Sequence, residues 1–155
     1  MKKVKKIMMV GLVGAAMIMS LSGCKKGASK EIDINTVADN LLNNITYEDE
    51  LSQVDYDMVY EMDDIQINES VVYVSSGATA EEIAAFSCTT EDDAKKVQTI
   101  LENRVEEQKE SFQNYFPEEL VKLDKAVIIK EGKSVVLSIS NDEQKAEDII
   151  NEAKK

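Results

Sequence analysis

The sequence predicts an α+β domain in which two β-hairpins form a four-stranded, mainly antiparallel sheet that packs against one long amphipathic helix, with N- and C-terminal helices. Three observations predict this class. Hairpin patterns lie at residues 65–88 and 126–139, a long helical pattern separates them, and shorter helical patterns stand outside them. Because the long helix carries a single apolar stripe, it is expected to cover one face of the sheet.

The first helix follows a polar stretch and is expected to start near Ile34, with Asn35 or Thr36 as its cap. Its apolar residues recur at helical spacing through Val37 and Leu41. The acidic residues 46–64 that follow also show three- and four-residue steps, which allow short helical turns, and no element type is assigned to them.

The first hairpin begins with alternation at 65–67, a turn is expected at 68–70, and the β-branched run 71–74 forms a strand. Gly77 lies in the break that follows, and residues 82–88 are expected to pair with this strand in antiparallel fashion.

The long helix opens with Thr90 as its predicted N-cap, in a capping-box pattern that has Asp93 in place of the usual Glu or Gln. It is expected to reach Tyr115, because Pro117 ends the helix and suits the first turn of a short one. One stripe is predicted to face the sheet: Ala94, Val97, Leu101, Val105, Gln108, Phe112 and Phe116.

The second hairpin joins strands at 126–129 and 135–139 through a turn in which Gly132 supplies the positive-φ position. The first of these strands lacks alternation, so it is expected to be buried on both faces. Asp142 lies in a second cap sequence, which opens the C-terminal helix.

The N-terminal residues are typical of a lipoprotein signal. Four lysines precede an apolar run at 7–21, which is shorter than the roughly 20 residues that a spanning helix needs. Leu21-Ser22-Gly23-Cys24 resembles the bacterial lipobox, so Cys24 is the predicted lipidation site. Residues 1–23 would be the signal peptide, 24–33 the lipidated Cys with a flexible tether, and 34–155 a single α+β domain.

This lipoprotein signal predicts a protein that is anchored by lipid at the extracytoplasmic face of the cell membrane, with membrane lipid as the partner of acylated Cys24. Loss of residues 1–23 removes four lysines, so the net charge of −12 becomes −16 over 132 residues. Such an acidic domain should be repelled by phosphate backbones, so no nucleic-acid partner is expected.

Several segments resemble, in order, the domain of unknown function 4358 family, which groups small lipoproteins of Gram-positive anaerobes. They are 80–86, 104–115, Pro117-Glu118-Glu119 and 135–140 with Asp142. The resemblance covers about residues 35–150. It implies a surface-anchored α+β domain, and it brings no activity, substrate or catalytic residue.

The residue types available argue against common catalytic sites. Histidine is absent from the sequence, which removes the usual general base and metal ligand. No catalytic, cofactor-binding or metal-binding residues are predicted. Cys88 is expected to be a small buried hydrophobe, and Glu118 and Glu119 to complement a helix dipole. Metal binding by the acidic group Asp55, Asp57, Glu61, Asp63 and Asp64 is a minor alternative to a solvated acidic face.

The sequence therefore favours a non-enzymatic binding or accessory module at the cell envelope, with an envelope protein or peptide as partner. One alternative is a carboxylate-dependent envelope hydrolase, which would need two carboxylates converging in one pocket. The other is an acidic cation-binding lipoprotein. Tyr47, Tyr56 and Tyr60 are expected to cap the edge of the core, with a partner surface as the alternative.

Overall fold

A computed structural model describes residues 30–154 and shows one antiparallel sheet with helices on both of its faces. The spatial order of the strands is β1-β2-β3-β5-β4. The strands are β1 (Ser52–Val54), β2 (Ile67–Val74), β3 (Glu82–Cys88), β4 (Val127–Glu131) and β5 (Ser134–Ile139). The helices are α1 (Ile34–Asn44), α2 (Glu91–Tyr115), α3 (Leu120–Leu123) and α4 (Glu143–Glu152). Two 3-10 turns occupy Tyr56–Met58 and Pro117–Glu119. The predicted signal peptide and Cys24 lie outside the described residues.

The α+β class with its long helix and terminal helices is confirmed, but the sheet has five strands rather than four. The extra strand is β1, which lies in the segment to which no element type was assigned. It pairs at the sheet edge with β2, where Ser52 is opposite Val74. Its three residues are too few to show alternation, so only the pairing with β2 identifies it.

The turn predicted at 68–70 is wrong, because β2 runs through these residues. Ile67 pairs with Cys88 and Glu69 with Ser87, so the register shifts by one residue at Asn68. A β-bulge of this kind places one residue outside the ladder while the strand continues. The polar residues at this position were therefore mistaken for a turn.

The central strands β3 and β5 are buried on both faces. Phe86 and Leu137 face α2, where they pack with Leu101 in one apolar cluster. Val135, Leu137 and Ile139 all belong to that cluster, as predicted. The opposite face carries a second cluster, in which Ile83, Ala85 and Val136 pack with residues of α1 and α4 that include Val37, Leu41 and Ile150. The sheet thus lies between two helical layers.

Strand β4 also contributes to both clusters, because Ile128 faces α2 while Val127 and Ile129 face α1 and α4. The burial predicted on both faces is found only in part, because β4 is an edge strand in which Val127 is buried and Ile128 and Ile129 are partly buried. The following turn has Gly132 at φ 54°, as expected for a residue that must adopt a left-handed conformation. Gly77 in the β2–β3 loop has φ 94°.

The helix ends agree with the sequence at two of three caps. Thr90 Oγ1 accepts a hydrogen bond from the Asp93 N–H at 3.0 Å, and Asp142 Oδ1 accepts one from the Lys145 N–H at 3.2 Å. Helix α1, however, is capped by Asp33, whose Oδ1 accepts from the Thr36 N–H, rather than by Asn35 or Thr36. Asp33 precedes the first helical residue, which is where a carboxylate satisfies a free N–H.

The folded part also starts earlier than the predicted boundary at residue 34. Ile32 is buried and forms a β-bridge with Lys154. Its N–H donates to Ser134 Oγ at 3.3 Å, and its carbonyl accepts from the same hydroxyl at 3.1 Å. These contacts hold Ile32 beside the β4–β5 turn, so residues 32 and 33 are part of the folded domain.

Candidate functional site

A cleft of about 570 Å³ opens where α2, the β2–β3 loop and the first 3-10 turn meet. The C-terminal half of α2 forms one wall, the loop forms the opposite wall, and the start of β3 lies at the floor. Its lining includes Met58, Val59, Ser75, Ser76, Gly77, Thr79, Glu81, Glu82, Arg104, Gln108, Ser111, Phe112 and Tyr115.

The floor of the cleft is built around the carboxylate of Glu82, whose residue is only 1% exposed. Oε1 accepts a hydrogen bond from the Tyr60 hydroxyl. Oε2 accepts one from Gln108 Nε2 at 2.7 Å and two from Arg104, at 3.2 Å from Nη2 and 3.4 Å from Nε. Burial, followed by the nearby charge of Glu82, raises the pKa of Tyr60 well above its ordinary value. The phenol therefore stays protonated and donates.

The amide of Gln108 leaves one polar atom without a partner. Gln108 is 8% exposed, and its Nε2 is committed to Glu82 because a carboxylate requires a donor. Its Oε1 is consequently buried with no hydrogen-bond donor among the described residues. An unsatisfied buried acceptor costs about 1–3 kcal/mol. This oxygen is closed off from solvent beside the cleft, so a ligand donor would bond to it once the Gln108 side chain shifts.

The wall behind the cleft contains a second buried charge cluster, centred on Lys122 of α3. Its Nζ lies 3.0 Å from a Glu119 oxygen, 3.2 Å from Glu48 and 3.4 Å from Glu81. Burial lowers the pKa of Lys122, but its hydrogen bonds to Glu119 and Glu48 and the charge of Glu81 outweigh this effect. Its pKa is therefore raised.

These carboxylates also hold backbone N–H groups. Glu81 accepts from the N–H groups of Glu48 and Asp49 at 2.9–3.0 Å, and Glu119 accepts from the Ala80 N–H at 2.8 Å. The cluster thus ties the segment after α1, the β2–β3 loop and α3 to one another. These hydrogen bonds and ion pairs hold in place the wall of the cleft that lies opposite α2.

The rim of the cleft is apolar and exposed. Met58 and Tyr115 are 75% and 77% exposed, and both line the opening. Phe112 is half-buried between the rim and the apolar cluster. The predicted stripe of α2 is buried from Ala94 to Gln108 but not beyond, since Phe116 is 45% exposed. The last part of the stripe therefore lines or borders a cleft rather than the core.

Two further depressions continue from the cleft along α2. The neighbouring one, of about 370 Å³, shares Val59 and Arg104 with the cleft. The next, of about 520 Å³, shares Glu61 and Ile100 with the second. Because each shares lining residues with its neighbour, the three depressions lie in a row between α2 and residues 58–65. We call this row the α2 groove, and the cleft lies at one end of it.

Of the residues singled out from the sequence, Cys24 lies outside the described residues, and Cys88 is a fully buried free thiol. Burial raises the pKa of Cys88 to about 11, with the nearby charge of Asp93 adding to the effect. Tyr60 lies in the core, where its ring makes an edge-on contact with Phe86 at 5.6 Å between centroids. Tyr56 makes a similar contact at 6.1 Å, so neither ring is a free partner surface.

The acidic residues behave differently from one another. Glu118 is exposed, but Glu119 is buried against Lys122 and the Ala80 N–H, so a dipole role does not describe it. Within residues 30–154, no three His, Cys, Asp or Glu side chains are placed to hold a metal ion. Among the same residues, no helix combines the length and apolarity required to cross a bilayer.

No sequence pattern pointed to the residues that build the cleft. Glu82 begins a mostly apolar strand, and Gln108 interrupts an apolar helical stripe. An inward-facing polar residue at a core position needs a partner, and that was the signal available. The sequence does not show which polar residues contact each other, because Glu82 and Gln108 are 26 positions apart in the chain.

Comparison with known proteins gives one family. The family model described as domain of unknown function (DUF4358) matches residues 43–140, which is most of the described domain and contains β1 to β5 and the cleft. No curated protein and no solved structure matches significantly. The matched segment includes the residues that line the cleft. The chain belongs to the domain of unknown function 4358 family.

Proposed function

We propose that this protein is a non-enzymatic binding module of the cell envelope, anchored through acylated Cys24 at the extracytoplasmic face of the membrane, and that its ligand binds in the cleft. The observation that carries the proposal is the cleft itself. It combines exposed apolar side chains at its rim with a floor of buried, hydrogen-bonded polar groups. That combination is typical of ligand sites, in which a few oriented polar groups lie among apolar surface.

The position of the cleft supports this role. Ile32, where the tether joins the domain, is hydrogen-bonded to Ser134. Ser134 pairs with Ser87, whereas Glu82 pairs with Ile139, so the cleft and the tether lie at opposite ends of β3 and β5. At ~3.3 Å per strand residue, these two residue pairs are about 17 Å apart. A domain held at Ile32 would turn its cleft away from the membrane.

The state of the carboxylates favours binding over hydrolysis. Glu81 and Glu82 both line the cleft, which is the arrangement that a carboxylate-dependent hydrolase would need. Each is engaged separately, however, with Tyr60, Arg104 and Gln108 on Glu82 and with Lys122 and two backbone N–H groups on Glu81. A general base or nucleophile needs a lone pair that is free to meet the substrate. These carboxylates serve as structural supports.

The proposal is tested by photo-crosslinking of the full chain in cells that produce it. A photoreactive phenylalanine derivative would replace Tyr115 or Met58 at the rim, or Glu143 at the start of α4 as the control. We expect adducts from both rim positions and none from position 143. The captured material is identified by mass spectrometry, without any assumption about its class. Failure of both rim positions, or equal capture at position 143, would contradict binding in the cleft.

A further inference from the structure

The length of the α2 groove indicates an elongated ligand. Its lining on α2 extends from Lys96 to Tyr115. At ~1.5 Å per helical residue, this is about 28 Å. An extended peptide advances ~3.3 Å per residue, so about eight or nine residues would fit along it. A small metabolite would fill only one of the three depressions.

The charge of the groove indicates whether that ligand is positively or negatively charged. Four exposed carboxylates line its middle and the end away from the cleft: Glu61, Asp63, Asp64 and Glu107. The cations that face them are Lys96, which pairs with Asp93 at 3.5 Å, and Arg104, which pairs with Glu82. The groove therefore presents uncompensated negative charge, which attracts a cationic chain and repels an anionic one.

The polar groups at the cleft end fit a peptide backbone. Arg104 is about one-third exposed and uses Nε and Nη2 for Glu82, so Nη1 has no protein acceptor among the described residues. Gln108 Oε1 has no donor there. A donor and an acceptor four residues apart on one helix are what the C=O and N–H groups of an extended peptide require. Met58 and Tyr115 beside them offer an apolar contact for one side chain.

We propose that the α2 groove binds an extended, positively charged peptide segment, with one apolar side chain of that segment inserted between Met58 and Tyr115. This deepens the proposed function and rests on it. The basic side chains of the segment would lie along Glu61, Asp63 and Glu107. The free polar atoms of Arg104 and Gln108 would bind its backbone.

The test uses the full chain in a non-ionic detergent, where no anionic lipid competes for basic peptides. Two fluorescent peptide pools, each of peptides about nine residues long, carry Phe, Leu or Ser at alternating positions. One pool has Lys at the remaining positions and the other has Glu. Fluorescence anisotropy should show saturable binding of the Lys pool, weakening as salt is raised, and none of the Glu pool. The Phe and Leu peptides should bind more tightly than the Ser peptides.

Two matched pairs of variants locate the binding. Glu107→Lys reverses a charge in the groove, and Glu110→Lys makes the same change on α2 outside it. Tyr115→Ser removes an exposed ring from the rim, and Val121→Ser removes an exposed apolar side chain elsewhere. All four positions are exposed, so folding is retained. We expect Glu107→Lys and Tyr115→Ser each to weaken binding by at least about fivefold, with the controls unchanged.

Any one of three results would overturn the inference: absence of Lys-pool binding, preference for the Glu pool, or an equal effect of Glu110→Lys and Glu107→Lys on binding. If the rim crosslinks of the preceding experiment capture a glycan or another non-peptide ligand while the Lys pool fails, the binding function survives and only the peptide assignment is lost.

Discussion

At the scale of single residues, the structure of the cleft depends on the hydrogen-bond and ion-pair partners of a few buried polar groups. Glu82 is surrounded by three donor residues, and Lys122 by three carboxylates. Breaking one side of a buried ion pair leaves the other charge without compensation, which costs more than the pair contributes when intact. The cleft is therefore sensitive to substitution at its floor, although the floor residues contribute little apolar burial.

We predict that Glu82→Leu lowers the free energy of unfolding by about 2–4 kcal/mol. The loss of one partner of a buried pair typically costs about 3–5 kcal/mol, and the partial exposure of Arg104 lets its charge reach water and reduces that cost. Urea unfolding followed by circular dichroism measures it. The same change at exposed Glu118 should stay within about 0.5 kcal/mol. A similar loss at both positions would show that Glu82 is not a special support.

We also predict a pH-dependent contribution from Cys88. Its pKa is raised from 9.0 to about 11 by burial, so the unfolded chain loses the thiol proton at lower pH than the folded one does. The stability that Cys88 contributes is therefore fully present below pH 9 and is lost between pH 9 and 11. The difference in unfolding free energy between the native chain and Cys88→Ala should be constant below pH 9 and shrink above it. A constant difference up to pH 11 would contradict a buried thiol.

At the scale of secondary-structure elements, local signals predict the long elements and miss the short ones. Helix α2 has its cap and its stripe in the sequence, and the structure shows the cap and the stripe as far as Gln108. The 3-residue strand β1 and the bulge in β2 depend on pairing across the sheet. Residues 46–64 show no clear helix or strand pattern, because Tyr60 and Met62 reach the core from irregular backbone.

The cap of α2 gives a prediction at this scale. Thr90→Ala removes the oxygen that accepts from the Asp93 N–H and should destabilise the protein by about 1 kcal/mol. The same substitution at Thr99, an exposed position inside α2, should be neutral or slightly stabilising because Ala is the better helix former. Thermal unfolding of both variants measures the contrast. Equal effects would mean that the Thr90 bond does not stabilise the helix.

At the scale of the whole molecule, Ile32, which the predicted tether would precede, and the cleft lie at opposite ends of the sheet. This follows from the strand directions, since Ile32 lies beside the β4–β5 turn and the cleft beside the β2–β3 loop. For a lipid-anchored domain, the arrangement would direct the α2 groove toward soluble or wall-associated ligands and away from the bilayer.

We predict this orientation for the acylated protein in lipid vesicles. A fluorophore on Lys133→Cys, at the β4–β5 turn, should be quenched more strongly by spin-labelled lipid headgroups than one on Ala78→Cys in the β2–β3 loop. Buried Cys88 leaves both new thiols selectively reactive. The variant that also carries Cys24→Ala should lose membrane association and show no quenching at either position. Equal quenching of both labels on the anchored chain would contradict an outward-facing cleft.

The sequence by itself determined the α+β class, the main helices and hairpins, and the family, because capping patterns, apolar periodicity and turn glycines act over a few residues. Only the tertiary structure decided the fifth strand, the partners of Glu82 and Lys122, and the α2 groove. Each depends on residues distant in the chain, as when Tyr60 from irregular backbone meets Glu82 of β3 and Gln108 of α2. Their meeting depends on how the sheet and α2 pack, which no local pattern encodes.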